Sequence, residues 1–254
     1  MSMSYARAGT GTNQYARKPG RPAADGLAAG GLLTQSQFRL AGQAAEWEAL
    51  ARAARPDLDP QEAARLASNH DPAVRRQLVL RQERLPAEVL RQLGADPDPQ
   101  VRFYTARHRG CPPGTLELLS RESRHGIRRQ VAGNPSCPPE ILSKLARDPH
   151  YTIVKSVAGN PQAPLELLRQ LATSDLLEVK IVLAGNRRTP SDVLEQLAGT
   201  QDRAVLRNLA RNRHTPVDIL SRLLNHPDQV IACYAQLNQS LPRAVLAMWQ
   251  LAHR

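Results

Sequence analysis

Val131-Ala132-Gly133-Asn134-Pro135 and Val157-Ala158-Gly159-Asn160-Pro161 spell the same pentapeptide, VAGNP, at an interval of 26 residues. Further steps of that interval land on Asn186, Asn212 and Asn238, an asparagine each time. Proline stands four residues beyond each asparagine, at Pro138, Pro164, Pro190, Pro216 and Pro242, with Pro112 one interval earlier. Upstream, VRFYTARH (101–108) and VRRQLVLR (74–81) occupy the same frame, the latter after one extra residue. Such self-similarity marks a solenoid, in which each unit buries its apolar face only against its neighbours.

Within a unit, a segment such as IRRQVAGN is apolar at its first, fifth and sixth residues, one face of a helix. Glycine and asparagine follow, residue types that tolerate the left-handed conformation at a helix C-terminus. Proline then suits the first position of a second helix, because its φ is preset and it has no amide to leave unpaired. Thr189 and Thr215 read as caps for that helix, with Asp192 and Asp218 three residues later. Leucines succeed in PPEILSKLA and PLELLRQLA, and a turn such as Asp148-Pro149 closes the unit. The aromatic fraction of 4% also suits packed helices better than a sandwich. The expected fold is therefore all-α, a solenoid of about seven to eight two-helix repeats of 26 residues over 74–254. Residues 43–73 are expected to be a degenerate helical cap and 1–42 a mobile basic tail, and the amphipathic stretch LLTQSQFRLAGQAAEWEALARAA that begins toward the tail's end is expected to pack Leu40 and Trp47 on the first repeat. The recurrent Asn and Pro read as architectural.

The unit V-R-x-x-V-A-x-N-P-x-x-P-x-E-L-L-x-x-L-A-x-D closely resembles the leucine-rich repeat variant family. The resemblance implies a right-handed superhelix of alternating α and 3₁₀ helices. A member of that family carries an amino-terminal cysteine cluster for an iron–sulfur centre. No cysteine precedes Cys111 here, so no cofactor is carried over.

The formal net charge is +11, which favours polyanionic partners. Only Lys18, Lys144, Lys155 and Lys180 among the 34 basic residues are lysine; arginine's planar fork suits phosphates and guanine edges. From the first to the eighth residue of the units there is no Asp or Glu. Arg75, Arg76, Arg81, Arg102, Arg107, Arg128, Arg129, Lys155, Lys180, Arg207 and Arg211 all fall there, and Arg109, Arg187, Arg188 and Arg213 extend the column into the next loop. Phe103, Tyr104 and Tyr234 place rings among them, while Arg65 and Arg121 are expected on second helices. A sequence column becomes a spatial stripe in a solenoid, so one ledge is expected to be positive and able to follow a phosphate backbone. The alternative is structural: Arg75, Arg102 and Arg128 belong to the family's own pattern and can cap carbonyls or pair with acids of the adjacent unit.

In the tail, Arg17-Lys18-Pro19-Gly20-Arg21-Pro22 resembles an AT-hook, whose Gly-Arg-Pro core lies in the narrow minor groove of A·T-rich DNA. Gly20, Arg21 and Pro22 match the core, Arg17 and Lys18 supply phosphate contacts, and Pro19 departs from the usual arginine.

No catalytic constellation is found. The seven histidines show no metal-ligand spacing, and phosphate-loop and nucleophile-elbow motifs are missing. Cys111, Cys137 and Cys233 are too widely spaced for a zinc site and imply no disulfide framework. No run is apolar enough for a membrane span. The reading is a non-enzymatic bacterial DNA-binding protein of the cytoplasm or nucleoid, holding duplex DNA on its ledge and the A·T minor groove with its tail. An interaction scaffold for an acidic protein partner is the alternative.

Overall fold

Each repeat unit folds as two short α-helices because its apolar residues recur at helical spacing and extended segments at Asn and Pro interrupt them. The computed structural model describes residues 35–56 and 58–252, with side chains from Gly42 on, and contains sixteen helices and no strand among them. The chain divides at Ala41–Gly42 into two units, and the repeats lie in the second. Before the repeats come α1 (Gln35–Ala53) and α2 (Pro60–Ala67). The first helices of successive repeats are α3 (Pro72–Arg81), α5 (Pro99–Arg107), α7 (His125–Gly133), α9 (Tyr151–Ala158), α11 (Leu177–Gly185), α13 (Arg203–Arg211) and α15 (Gln229–Gln236). The second helices are α4 (Ala87–Gly94), α6 (Pro113–Leu119), α8 (Pro139–Leu145), α10 (Leu165–Ala172), α12 (Ser191–Ala198), α14 (Val217–Leu224) and α16 (Arg243–Ala252). First helices stack on first helices along the array.

Both elements of a repeat are α-helices, where the resemblance implied that one would be 3₁₀. The reason is length: the second segments run seven to ten residues, enough for bonds such as Leu142 N–H to Pro138 O and Ala146 N–H to Leu142 O. Shorter-range bonds close only the ends, as from Thr173 N–H to Gln170 O. Proline is the residue before the helix rather than its first: Pro112, Pro138 and Pro164 have φ between −64° and −58° and extended ψ. Its carbonyl accepts the first helical bond. The core alternates Ile127, Val131, Ile153, Val157, Val179 and Leu183 of first helices with Leu142, Leu168 and Leu194 of second helices, each 2% exposed or less. Full burial of such side chains stabilises by about 1.5–3 kcal/mol each. At Gly94 the neighbouring unit comes closest, since a Cβ there would lie 2.3 Å from Thr115 Cγ2.

Asparagine ends the first helix for its amide and not for its backbone. Asn134, Asn186 and Asn212 have φ of −72° to −76° with extended ψ, so no left-handed turn is used. Instead Asn134 Nδ2 donates to Ala106 O and His108 O of the preceding unit, at 2.7 and 2.9 Å, while its Oδ1 accepts from Ser136 N–H. Asn160, Asn212 and Asn238, one, three and four units further on, repeat all three bonds, whereas Asn186 keeps only the bond to Ala158 O across units. Earlier in the array Gln82 donates to Ala53 O and Arg55 O, and His108 reaches Gln82 O, so the ladder continues with other side chains. Thr189 and Thr215, expected as caps, turn their buried hydroxyls back onto Leu183 O and Leu209 O. The last turn of α1 packs through Ala49, Leu50 and Ala53, whereas Trp47, expected to pack, is 73% exposed.

Candidate nucleic-acid interface

The residue after the opening Val or Ile of the early units is arginine, and it is fully occupied. Arg75 donates from Nε and Nη2 to Asp96 at 2.6 and 2.8 Å, and from Nη1 to Asn69 O and His70 O. Arg128 makes the same set with Asp148, Glu122 O and Ser123 O, and Arg102 with Glu122, Asp96 O and Pro97 O. One guanidinium thus caps the turn that closes the preceding unit and grips the acid that closes its own. These three leave the expected ledge, because a planar five-donor group with a carboxylate and two carbonyls on it has little left for a phosphate. Where Val154, Lys180 and Leu206 replace the arginine, Ser174, Thr200 and His226 replace the acid.

Asp148 carries a pH signature of this clamp. Its hydrogen bonds from Arg128 hold its carboxyl below the ordinary carboxylate range. A group whose folded value is depressed stabilises the fold above its unfolded value, and that contribution is lost as pH falls through the folded value. The unfolding free energy should therefore drop as pH is lowered below about 4, and Asp148→Asn should show a shallower acid limb in urea titrations. Identical acid limbs would refute the clamp.

The outward face of the first helices is built on a four-residue spacing, which returns to one side of a helix. It reads Pro99, Phe103, Arg107 on α5, then His125, Arg129, Gly133 on α7. Tyr151, Lys155, Gly159 on α9 and Leu177, Ile181, Gly185 on α11 follow, then Arg203, Arg207, Arg211 on α13; Phe103 and Ile181 in this series are half-buried against the core. Among the described residues Arg76, Arg107, Arg129, Lys155, Lys180, Arg187, Arg188, Arg207 and Arg213 make no ion pair. Arg81 is exposed and likewise unpaired. Arg211 sits over the Tyr234 ring at 5.0 Å, and Arg203 pairs with Asp228. The second helices are different: Arg91 pairs with Glu88, Arg169 with Glu166 and Asp192, and Lys144 and Arg121, just past the end of α6, with Glu117. Positive charge is neutralised locally on α4, α8 and α10, while among the described residues Arg222 on α14 and Arg243 on α16 make no ion pair, and most cations of the first helices are left open.

Two surface hollows gather the open cations at the C-terminal ends of first helices. One is lined by Arg84, Tyr104, Arg107 and Arg109, with Glu83 beside them; the other by Arg187, Asn208, Arg211 and Arg213. Arg107 and Arg109 recur as Arg211 and Arg213 after four intervals of 26 residues. Between them Gly133 with Pro135 and Gly159 with Pro161 leave the rim bare of charge. The ledge is therefore two clusters and a sparser middle held by Arg129 and Lys155, not an unbroken track.

The tail candidates Arg17, Lys18, Gly20, Arg21 and Pro22 lie outside the described residues. Cys111 and Cys137 are buried and unbridged, and burial pushes both thiols up to about 12, so they are protonated packing groups. Among the described residues no helix is long and apolar enough to cross a membrane. Reading the sequence by single columns missed Arg84 on the ledge, the exposed Arg203 that pairs with Asp228, and the ring stack of His125, His150 and Tyr151. The four-residue spacing within each first helix was the signal that finds Arg203, His125 and Tyr151.

The leucine rich repeat variant family model matches residues 125–150, one unit of the array. A solved structure described as a leucine-rich repeat variant with a novel repetitive protein structural motif is similar over 80% of this chain and 86% of that chain. The identity is 23% and the TM-score 0.49. No curated protein matches the chain.

Proposed function

Taking the chain as an all-α repeat solenoid of the leucine-rich repeat variant type, we propose that it is a non-enzymatic DNA-binding protein that holds duplex phosphates on the outward face of its first helices. The observation that carries this reading is the run of exposed Arg107, Arg129, Lys155, Arg187, Arg207 and Arg213 without an acidic partner among the described residues, whereas Arg91, Lys144 and Arg169 on second helices have one. Unpaired surface cations repel one another and gain most from a polyanion, whose condensed counterions are released on binding. The geometry is favourable too. Helices stack about 8–10 Å apart, so clusters three to four units apart lie about 24–40 Å apart, bracketing one duplex turn of about 34–36 Å. In this reading Arg21 of the tail enters an adjacent A·T minor groove, and body and tail raise each other's effective concentration. Gene regulation or nucleoid organisation is the matching role.

Titration of a duplex at several salt concentrations tests it. With about five phosphates neutralised, log K should fall against log salt with a slope of about −4 to −5. A slope near zero, or tighter binding of an acidic protein than of duplex at equal salt, would leave the face as a protein-docking surface.

A further inference from the structure

Four first helices begin with an aspartate cap, Asp71, Asp98, Asp202 and Asp228, whose side chain accepts amides of the first turn. Such a cap stabilises a helix by about 0.5–2 kcal/mol over an apolar residue. The three units in the middle of the array forgo it: Arg124 precedes α7, His150 precedes α9 and Leu176 precedes α11, with no side-chain cap at any of them. What stands there instead is a column of rings. His125 and His150 stack at 4.1 Å between centroids and 7° between planes, and His150 and Tyr151 follow at 5.8 Å and 11°. Thr152 Oγ1 fixes His150 through Nδ1 at 2.8 Å. The stack is open to solvent, with His125 exposed and Tyr151 48% exposed. One helical turn further, on the same faces of α7 and α9, stand the exposed and unpaired Arg129 and Lys155. Glu122 and Asp148 flank the rings but are taken up by Arg102 and Arg128, Asp148 also accepting from His150 N–H, and Glu178 follows on α11.

We infer that this patch binds unpaired bases of single-stranded nucleic acid, an incoming base extending the parallel rings of His125, His150 and Tyr151 while Arg124, Arg129 and Lys155 hold the flanking phosphates. Rings with parallel faces beside cations are what sequence-tolerant strand binding uses, since every base has a π face. An acidic cap at Arg124 or His150 would set a carboxylate against the strand, and neither position carries one. The inference goes beyond duplex binding and shares with it only the phosphate contacts. A regular duplex keeps its bases stacked inside, so the patch serves a melted or displaced strand beside a duplex held on the arginine clusters.

Binding of a 20-nucleotide oligo-dT, of oligo-rU, and of an abasic oligomer with the same number of phosphates to the full chain tests it. A homopolymer of either sugar should bind about 10-fold or more tighter than the abasic strand, as stacking of one to two bases implies. His125→Ala with Tyr151→Ala should remove that preference without changing abasic binding, and Tyr151→Phe should keep it. Both positions are exposed, and equal thermal melts of parent and variant check the fold. Equal binding of homopolymer and abasic strand by the parent overturns the stacking proposal while leaving the phosphate reading standing. Failure to bind the abasic strand, with homopolymer binding intact, removes the phosphate reading and leaves stacking. If an acidic leucine-containing peptide binds in a Tyr151-dependent way and oligo-dT does not, the patch is a peptide site and the proposal is wrong.

Discussion

Asn160→Ala is expected to lower the unfolding free energy by about 3–5 kcal/mol, although it removes only one small side chain. Asn160 is 1% exposed and makes three bonds: Nδ2 to Ala132 O at 2.7 Å and to Asn134 O at 2.8 Å, and Oδ1 from Gln162 N–H at 2.7 Å. Each such bond contributes about 1 kcal/mol net, and a buried group left without its partner costs about 1–3 kcal/mol more. Two of the three bonds cross to the preceding unit, so the loss falls on the coupling between neighbours on which a repeat array depends. The matched control is Asn186→Ala. Asn186 makes one inter-unit bond, to Ala158 O, and is half-buried, so it should cost roughly half as much. Urea unfolding of both variants reads this directly. A cost for Asn160→Ala of under about 1 kcal/mol, or an equal cost at both positions, would mean that the ladder is incidental to the packing.

Arg75→Ala should be comparably damaging, by about 3–5 kcal/mol, because it strands Asp96 as an uncompensated buried charge. The side chains of Arg75 and Asp96 are 10% and 4% exposed. Replacing both members by apolar residues of similar size, as in Arg75→Met with Asp96→Leu, should recover most of the loss, since a buried pair is worth little over well-packed hydrophobic side chains. Arg76→Ala, one residue on and without an ion pair, should stay within about 0.5 kcal/mol. Calorimetric melts of the three variants give the comparison. The folded Arg75→Ala protein should bind duplex as the parent does; a selective loss of affinity would return Arg75 to the ledge.

The period of 26 residues and the Asn and Pro columns made the helical repeats readable before any coordinates, because each unit repeats the same apolar face and the same interruption. The reasons behind those columns were less visible. Asparagine was legible as a helix end, but its backbone is extended and its amide does the joining, a long-range role that a local reading of Asn134 cannot supply. The same blindness hid Gln82 and His108, which do the asparagine's work with different chemistry. Arg75, Arg102 and Arg128 looked like ledge residues because an arginine column carries no mark of its partners. The mark lay some 20 residues on, in Asp96, Glu122 and Asp148, where the acid vanishes together with the arginine in later units. Arg129 and Arg207 are exposed at the second position after the opening residue, where the apolar Phe103 and Ile181 of other units are half-buried against the core.

The central claim is that open cations on the first helices, and not the chain's positive charge at large, hold the phosphate backbone. Duplex affinity measured across a salt series for two charge-reversed proteins tests it most directly: Arg107→Glu with Arg129→Glu and Arg207→Glu against Arg91→Glu with Arg121→Glu and Arg169→Glu. The two carry the same net charge. The first should lose about 100-fold or more in affinity and about 3 units of salt slope, and the second should keep the parent's slope. Equal losses in both proteins would contradict the account.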